Sequence, residues 1–488
     1  MKKTWRTKTA RILSTAVLGF GLAGLLIASI SAGFEDDPKG GFAVPNPDYL
    51  AWLHSHQISS DMPPLSAEGY ALGHIPPRVD PYLYDTGEDA DQAEIDALPA
   101  RYDLRSQNKL TPVRDQGACG SCWSFAVCAA MESALRPGAS WNFSEQHMIK
   151  NHGFKWGPCK GGNLTMAMAY LTRWTGPVNE TDVPYSYLDP DGAASVRKHV
   201  QNVVFVPIRK NNGDNNKIKN MVKKYGAVST SMYWDGAAFN SATNSYYNPD
   251  NPVGGHAVTI VGWDDNFSRN NFNRIPSRDG AFIVRNSWGP GWGEGGYFYV
   301  SYCDKYFGRR WYSAAFKKPE SPSNYNKVYC YDISGWTDCY GYGRTTAWMA
   351  NMFMAGNSES IQAVSFYTRG TKTSYVVRVY RGNTVGEPRS GILVTRKSGK
   401  LANPGYYTIK LKKKVGVTKG QRFSVVVKLT ATGTDFPVPC EVRTPGFTKP
   451  KFSKGGKNQS FLSSNGTNWT DLNDLMKNAN ICLKAFAK

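Results

Sequence analysis

The sequence predicts an α+β protein in which a helical region precedes a β-rich region, with an all-β sandwich domain after both. Three observations predict this order. From Cys122 onward, Trp, Phe, Ala, Val and Met recur at helical spacing. Between Gly226 and Val300 the apolar runs are short and resemble strands. From Ser321 onward, strand-like segments alternate with Gly, Pro, Asn and Ser turns.

Residues 1–32 have the composition of an export signal. Five basic residues precede Ile12, and the stretch from Ile12 to Ile30 carries no charge and ends in small residues. Two alternatives remain open, because an apolar run of 19 residues is also long enough to stay in a bilayer as an anchor. Both predict a secreted or extracellular cell-surface protein, in the second case anchored in the membrane at its amino terminus.

The stretch 112–126 contains a candidate nucleophile. Glycines and Asp115 favour a tight loop, and Cys122 should then begin a helix. A thiol at the amino terminus of a helix is favoured as the thiolate, the nucleophilic form. A buried, inert cysteine is the alternative for any isolated thiol in an apolar helix.

The string Gln116…Cys119-Gly-Ser-Cys122-Trp resembles the active-site loop of papain-like cysteine peptidases. That family needs a histidine and an asparagine downstream of the cysteine. Of the seven histidines, His256 lies 134 residues after Cys122 in a Gly-His-Ala-Val string, and Asn286 follows 30 residues later in Asn-Ser-Trp-Gly. The resemblance implies a two-lobed papain-like fold with a cleft between the lobes, and hydrolysis of peptide bonds.

The resemblance also implies a role for each of these residues. Cys122 would be the nucleophile, His256 the base, and Asn286 the amide that orients the imidazole without adding a charge. Gln116 would donate its side-chain amide to the oxyanion beside the backbone N–H of Cys122. Trp288 would shield the hydrogen bond between Asn286 and His256 from water.

The remaining site residues are also carried over from the resemblance. Gly161 and Gly162 would form the strand edge that binds the substrate main chain upstream of the cleaved bond. Leu164 and Met232 would line the pocket for the second residue upstream, which predicts a bulky hydrophobic preference; core positions are the alternative for one or both.

The nine cysteines include one pair that the resemblance assigns. It pairs Cys119 with Cys159 in a disulfide and leaves Cys122 free. Buried thiols are predicted at Cys128 and Cys303. The pairing of the last four cysteines stays open, because four cysteines allow three connectivities; these are Cys330, Cys339, Cys440 and Cys482.

Residues 33–97 are acidic and rich in Pro and Gly, and only 48–53 predicts a short helix. Because papain-like enzymes are usually made as inactive precursors, we expect a propeptide here that lies over the cleft. Its processing region is predicted in the acidic stretch 88–96. A flexible spacer is the alternative, and the long helical prosegment pattern of the plant and animal enzymes is missing.

The predicted peptidase domain spans residues 98–318, and the predicted all-β domain spans 319–488. The strings around Gly335, 345–351 and 481–486 resemble the lectin-like domain that follows the peptidase in some bacterial and archaeal surface proteins. From Glu320 to the carboxyl terminus there are 25 Lys and Arg against 9 Asp and Glu, so this part carries most of the net charge of +20. Such charge predicts contact with an anionic cell-wall polymer, a glycan or a membrane surface, and not with nucleic acid; a basic face kept for solubility is the alternative.

The sequence therefore predicts an exported cysteine endopeptidase, made as a zymogen, that acts on protein or peptide substrates. No Cys and His spacing typical of zinc occurs, so neither a zinc site nor a cofactor is expected. A calcium site in the all-β domain stays open, although no EF-hand loop marks one. Two alternatives remain: a surface adhesin or carbohydrate-binding protein whose peptidase serves its own maturation, and transfer of an acyl group to an amine through the same thioester.

Overall fold

The computed structural model describes residues 40–58, 63–82, 98–186, 194–250 and 254–488. The predicted signal or anchor at residues 1–32 and the predicted processing region at 88–96 lie outside these residues. Within the described part of the chain, no helix is long and apolar enough to cross a bilayer.

The described chain begins with strand β1 (Gly41–Phe42) and helix α1 (Pro47–Ile58). Asn46 caps this helix, since its side-chain oxygen accepts a hydrogen bond from the backbone N–H of Asp48 at 3.0 Å. The short helix expected from the sequence is confirmed and extends further than predicted. An extended segment, residues 63–82, follows.

The next region is helical. Its elements are β2 (Arg101–Asp103), α2 (Cys122–Leu135), α3 (Glu145–Asn151) and α4 (Leu164–Thr172). Small and apolar side chains on nearly every position of α2 let the other elements surround it, so this helix is almost wholly buried. Ser144 caps α3 by accepting a hydrogen bond from the N–H of His147 at 3.0 Å.

The β-rich region follows, as predicted. Its elements are β3 (Asn202–Val206), α5 (Asn216–Tyr225), β4 (Val228–Trp234), β5 (Phe239–Asn240), β6 (Ser245–Tyr246), β7 (Gly254–Asp264), β8 (Ala281–Arg285), β9 (Tyr297–Ser301) and β10 (Ser313–Phe316). Strand β7 lies between β4 and β8 and is antiparallel to both. It therefore brings residues at its start close to the end of β8.

The carboxy-terminal region is a β-sandwich, which confirms the predicted class. Its elements are β11 (Lys327–Tyr329), β12 (Asp338–Gly341), β13 (Thr346–Met354), β14 (Glu359–Thr368), β15 (Thr371–Arg381), β16 (Ile392–Leu401), β17 (Gly405–Val417), β18 (Arg422–Thr432), β19 (Val438–Glu441), β20 (Ser460–Ser463), β21 (Thr470–Asp471), α6 (Leu472–Leu475), β22 (Asn480–Ile481) and β23 (Leu483–Ala487). One layer has the strand order β16-β15-β18-β13-β20-β21. The other contains β11-β23-β14-β17, and apolar side chains of both fill one core.

The sandwich and the preceding regions share backbone pairing and core. Strand β17 pairs antiparallel with β3, with Tyr406 opposite Val203, so one 13-stranded sheet continues from one region into the other. Trp336 and Tyr367 from the sandwich pack in the same apolar cluster as Trp123 of α2. The predicted boundary at residue 318 is therefore a change of architecture within a continuous core.

Candidate active site

Cys122 is the first residue of α2 and is completely buried. Its sulfur accepts a hydrogen bond from the backbone N–H of Ala257 at 3.4 Å, and the backbone N–H of Gly73 also points to it. The structure thus places the thiol at the helix terminus expected from the sequence, between strand β7 and the extended segment.

His256 and Asn286 meet because β7 and β8 are neighbouring strands. Nε2 of His256 donates to Oδ1 of Asn286 at 2.7 Å. The ring of Trp288 lies 4.8 Å from the imidazole and covers this buried hydrogen bond. Within the described residues, Nδ1 of His256 has no hydrogen-bond partner, so His256 and the Cys122 thiol are not hydrogen-bonded to each other.

Gln116 is fully buried in the loop that precedes α2. Its Oε1 accepts a hydrogen bond from the Ser287 hydroxyl at 2.6 Å, which leaves Nε2 as the donor facing the cleft. Nε2 donates to the carbonyl oxygens of Cys119 at 2.8 Å and Ala71 at 2.9 Å. The Ala71 carbonyl of the extended segment therefore accepts a hydrogen bond from the amide group that the sequence predicts as an oxyanion donor.

Two arginines that sequence reasoning did not select hold this loop in place. Arg285 donates to the carbonyls of Thr111 and Pro112 at 3.0 and 2.6 Å, tying the loop to the strand that ends at Asn286. Arg114 pairs with the buried carboxylates of Glu132 and Glu145 at 2.9 and 2.7 Å. Arg285 could have been identified from the sequence by its position directly before Asn286.

The loop is also connected to the opposite cleft edge. Cys119 and Cys159 form a disulfide, and the N–H of Gly120 donates to the carbonyl of Cys159 at 3.1 Å. Gly161 has φ +95°, which favours glycine. A Cβ on Gly162 would come within 2.4 Å of the Trp123 ring, so only glycine fits there.

The extended segment crosses the cleft from Tyr70 to Ile75. The Tyr70 ring stacks on Trp288 with centroids 4.9 Å apart, and the N–H of His74 donates to the carbonyl of Gly255 at 2.9 Å. Gly73 approaches so closely that a Cβ there would lie 2.3 Å from the Gly120 oxygen. Residues 70–75 of the predicted propeptide region therefore lie over the cleft.

The direction of this segment follows from its pairing with Gly162. The N–H of Gly162 donates to Gly73, and the N–H of Ile75 donates to the carbonyl of Gly162, both at 2.9 Å. Bonds to two residues that flank His74 define a parallel bridge, whereas an antiparallel strand exchanges both bonds with one residue. The segment runs parallel to the Gly162 edge.

Burial sets the electrostatics of the site. It raises the pKa of the Cys122 thiol to about 11 and lowers the pKa of His256 to about 4, although the hydrogen bond to Asn286 opposes the second shift. Both groups are therefore neutral near pH 7, and the pair lacks the charge separation that makes a thiol nucleophilic.

The side chain of His74 occupies a pocket beside strands β4 and β7. Its Nδ1 lies 3.0 Å from the hydroxyl of Ser231, and its ring lies 4.5 Å from Trp311. Adjacent strand residues face opposite sides of a sheet, and Met232 accordingly lies in the core with no exposed surface. Leu164 begins α4 and packs partly buried against the other core cluster.

The pocket residues Ser231 and Trp311 were missed by sequence reasoning. The period-two alternation of β4 limited the choice to Ser231 or Met232 but did not say which of them faces the cleft. Trp311 lies outside the strings that carried the resemblance. No local signal linked it to the site.

Comparison with known proteins adds two family matches. The model for papain family cysteine proteases matches residues 98–309, and that for lectin like domains matches residues 328–487. The chain contains a papain-family peptidase domain followed by a lectin-like domain. Cys122, His256 and Asn286 all lie inside the first match.

Individual relatives resemble the papain-family domain. A cysteine protease of Blomia tropicalis is 31% identical over 221 residues, which cover 42% of this chain and 61% of the relative. A viral cathepsin of Heliothis zea nuclear polyhedrosis virus is 32% identical over 209 residues, covering 42% and 52%. The chain thus spans between about half and three fifths of the length of these relatives.

Solved structures resemble both domains together. The cysteine protease and lectin-like domains of Cwp84, a surface layer associated protein of Clostridium difficile, superpose with a TM-score of 0.77 at 23% identity, covering 94% of this chain and all of that one. Cwp84 after propeptide cleavage superposes with a TM-score of 0.70 at 25% identity, covering 80% of this chain and 99% of that one. The papain-like fold followed by a lectin-like domain is therefore shared.

Proposed function

We propose that this protein is the precursor of a cysteine endopeptidase that hydrolyses peptide bonds with Cys122, His256 and Asn286. The observation that carries the proposal is the peptide already in the cleft. Main-chain hydrogen bonds with Gly162 and Gly255 hold residues 73–75 of this peptide. Gln116 donates a hydrogen bond to the carbonyl of Ala71. A site that binds an extended peptide in this way, with a thiol beside it, fits peptide-bond chemistry.

The reaction follows from these positions. Once the segment leaves, Nδ1 of His256 is free to take the thiol proton, and Asn286 keeps the ring oriented through Nε2. The sulfur attacks the substrate carbonyl, whose oxyanion is bound by Gln116 and the backbone N–H of Cys122. His256 then protonates the leaving amine, and water hydrolyses the thioester with His256 as the base.

The same geometry supports self-inhibition by the segment 63–82. A substrate is proposed to pair antiparallel with Gly162, which is opposite to the direction of the segment. The main chain of the segment still fills the cleft. Because its direction is reversed, the peptide bond at Ala71 is presented to the Cys122 thiol in the opposite orientation to that of a substrate, and it is not cleaved. The buried, neutral Cys122 and His256 add a second reason for the precursor to be inactive.

The specificity pocket is proposed to accept a bulky apolar or aromatic residue. Ser231, Trp311 and Gly255 surround the His74 ring, and a cavity of about 430 Å³ continues from it toward Trp52 and Tyr233. Aromatic walls and one hydroxyl favour a planar or apolar side chain. Leu164 remains a candidate for the rim of this pocket, whereas Met232 lies behind it.

The test is hydrolysis of a fluorogenic peptide panel by the processed enzyme, with and without an epoxysuccinyl thiol inhibitor. We expect turnover that the inhibitor abolishes and that is absent in Cys122→Ala. Cys128→Ala is the matched control, because Cys128 is a second free, buried thiol of the same helix. Equal turnover by Cys122→Ala and the wild type would disprove the proposal.

We also propose that the enzyme is exported and that the lectin-like domain docks it on an anionic cell-surface polymer. Exposed cations lie on the consecutive strands β16 and β17, which belong to the two layers of the sandwich: Arg396, Lys400, Lys412, Lys413 and Lys414. We expect binding of the full chain to isolated cell walls to weaken with salt and with Lys412, Lys413 and Lys414 changed to Glu, while peptide hydrolysis is unchanged. Binding that ignores both changes would refute the docking role.

A further inference from the structure

A lysine and an aspartate are enclosed together in the lectin-like domain. Nζ of Lys484 contacts Oδ2 of Asp332, and neither side chain has exposed surface. Removing both charges from water is costly, and the attraction between them often does no more than offset this cost. An apolar pair would stabilise the core as well, so these two groups require another explanation.

The position of the pair in the fold suggests one. Lys484 belongs to β23, the last strand of the domain, and Asp332 follows three residues after β11, the first strand. The two strands are neighbours, with Val328 opposite Phe486. A covalent bond between the side chains would join the two ends of the domain across 152 residues of chain.

A third buried group lies beside the pair. Glu441 ends β19 and is completely buried; its Oε2 accepts a hydrogen bond from Asn480 at 2.6 Å and its Oε1 accepts one from the N–H of Ser334. Burial, aided by the charge of Asp332, raises the pKa of Glu441 to about 8, although the hydrogen bonds from Asn480 and Ser334 oppose this shift. Near pH 7 this carboxyl therefore carries a proton next to Asp332.

We propose that Lys484 and Asp332 form an intramolecular isopeptide bond, with Glu441 as the group that carries protons during its formation. The bond is a covalent modification of the folded lectin-like domain. It is independent of peptidase activity.

The reaction balances without an added reagent. Proton transfer from the ammonium of Lys484 to the carboxylate of Asp332 gives two neutral groups with no net change in protons, and a buried site favours neutral groups. The Nζ lone pair then attacks Cγ of Asp332. One carboxyl oxygen leaves as water, with the proton from Nζ delivered through Glu441, and an amide remains.

Enclosure in the fold drives this condensation. Amide formation between separate groups in water is unfavourable, but well-oriented groups reach effective molarities of about 10⁵–10⁸ M. Oδ1 of Asp332 has no nitrogen or oxygen hydrogen-bond partner within the described residues, and the Cys482 thiol is beside this carboxyl. The amide replaces two buried charges by one neutral group.

The test is mass spectrometry of the full chain carrying Cys122→Ala, which prevents self-processing, after reduction of disulfides. We expect a mass lower than the sequence mass by one water, about 18 Da. Trypsin should give a branched peptide that joins residues 328–344 to residues 478–488. The unmodified mass with two separate peptides would overturn the proposal, as would an increase in mass from an oxidative link between Lys484 and a cysteine.

Three variants separate the bond from the fold. Lys484→Arg keeps the charge and should lose the branched peptide completely, whereas Lys488→Arg, at an exposed lysine four residues later, should keep it. Glu441→Gln should form the bond at least tenfold more slowly after refolding. Wild-type rate in Glu441→Gln would refute its role, and the branched peptide in Lys484→Arg would refute the assigned residue. The mass of the unchanged domain decides the proposal even if a variant does not fold.

Discussion

Nε2 of Gln116 donates a hydrogen bond to the backbone oxygen of Ala71 at 2.9 Å. One atom thus serves two states of the protein, because the donor that holds the amino-terminal segment in the precursor is the donor proposed for the oxyanion in the processed enzyme. Inhibition and catalysis therefore compete for the same hydrogen bond.

Gln116→Ala should lower kcat of the processed enzyme by about 10²–10³-fold with little change in KM, because one oxyanion donor is removed. Steady-state kinetics on a peptide substrate measure this. Gln107→Ala, at an exposed glutamine of the same loop region, is the control and should match the wild type. A Gln116→Ala enzyme with unchanged kcat would exclude the oxyanion role.

The Cys122 thiol should react slowly in the precursor. With a pKa of about 11, about one thiol in 10⁴ is ionised at pH 7, and the segment also blocks access. Alkylation by iodoacetamide, located by peptide mass spectrometry, should accelerate by at least about tenfold once the segment is removed. Cys128 should remain unreactive in both states, and equal alkylation of Cys122 before and after processing would contradict the burial argument.

Release of the segment should be favoured by acid through His74. Burial, together with the nearby charge of His256, lowers the pKa of His74 to about 3; the released side chain titrates near 6.5. The docked state is therefore fully favoured well above pH 6.5 and weakens as the pH falls toward 3, by about 50-fold between pH 6.5 and 4.5. The groups around His74 are Ser231, Trp311 and His256, and Asp48 is already paired with Arg310.

The pH dependence of self-processing measures this effect. His74→Gln should flatten its acid limb, since glutamine fills the pocket without a titrating group. His54→Gln, at an exposed histidine of helix α1, should leave the profile unchanged. If both variants keep the wild-type profile, His74 is not the group that responds to acid.

The ion pair between Arg78 and Asp338 should hold the segment against the lectin-like domain. The two groups are 2.7 Å apart and mostly buried, and Nε of Arg78 also donates to the Thr337 carbonyl at 3.0 Å. Arg78→Ala leaves Asp338 buried without this partner, so processing should become at least about tenfold faster. Arg197→Ala breaks a more exposed pair with Asp182 and is the control; the same acceleration in both would argue against a specific clamp.

A chain that ends at residue 318 should not yield a stable peptidase. The cut removes β17, the partner of β3, and exposes the cluster that Trp336 and Tyr367 share with α2. We expect aggregation or a cooperative thermal transition lowered by at least about 10 °C, which calorimetry or circular dichroism would detect. A transition equal to that of the full chain would show that the two domains are energetically independent.

Local patterns in the sequence determined much of this protein. The helix that begins at Cys122 and the alternation of the sandwich strands depend on neighbouring residues, whose side chains repeat with a fixed period. The local strings around His256 and Asn286 could likewise be recognised from the sequence. The same is true of the Ser144 cap and of the helix after Asn46. The residues close to each of these features in the sequence are sufficient to predict it.

Only the tertiary structure decided the relationships between distant segments. The tertiary structure shows that Ser231, and not Met232, faces the cleft, and that His74 lies near His256. It also shows that residues 70–75 run parallel to the Gly162 edge and that Lys484 and Asp332 are buried together. Each depends on which surfaces are buried together, and burial is a property of the whole chain. No local period encodes it.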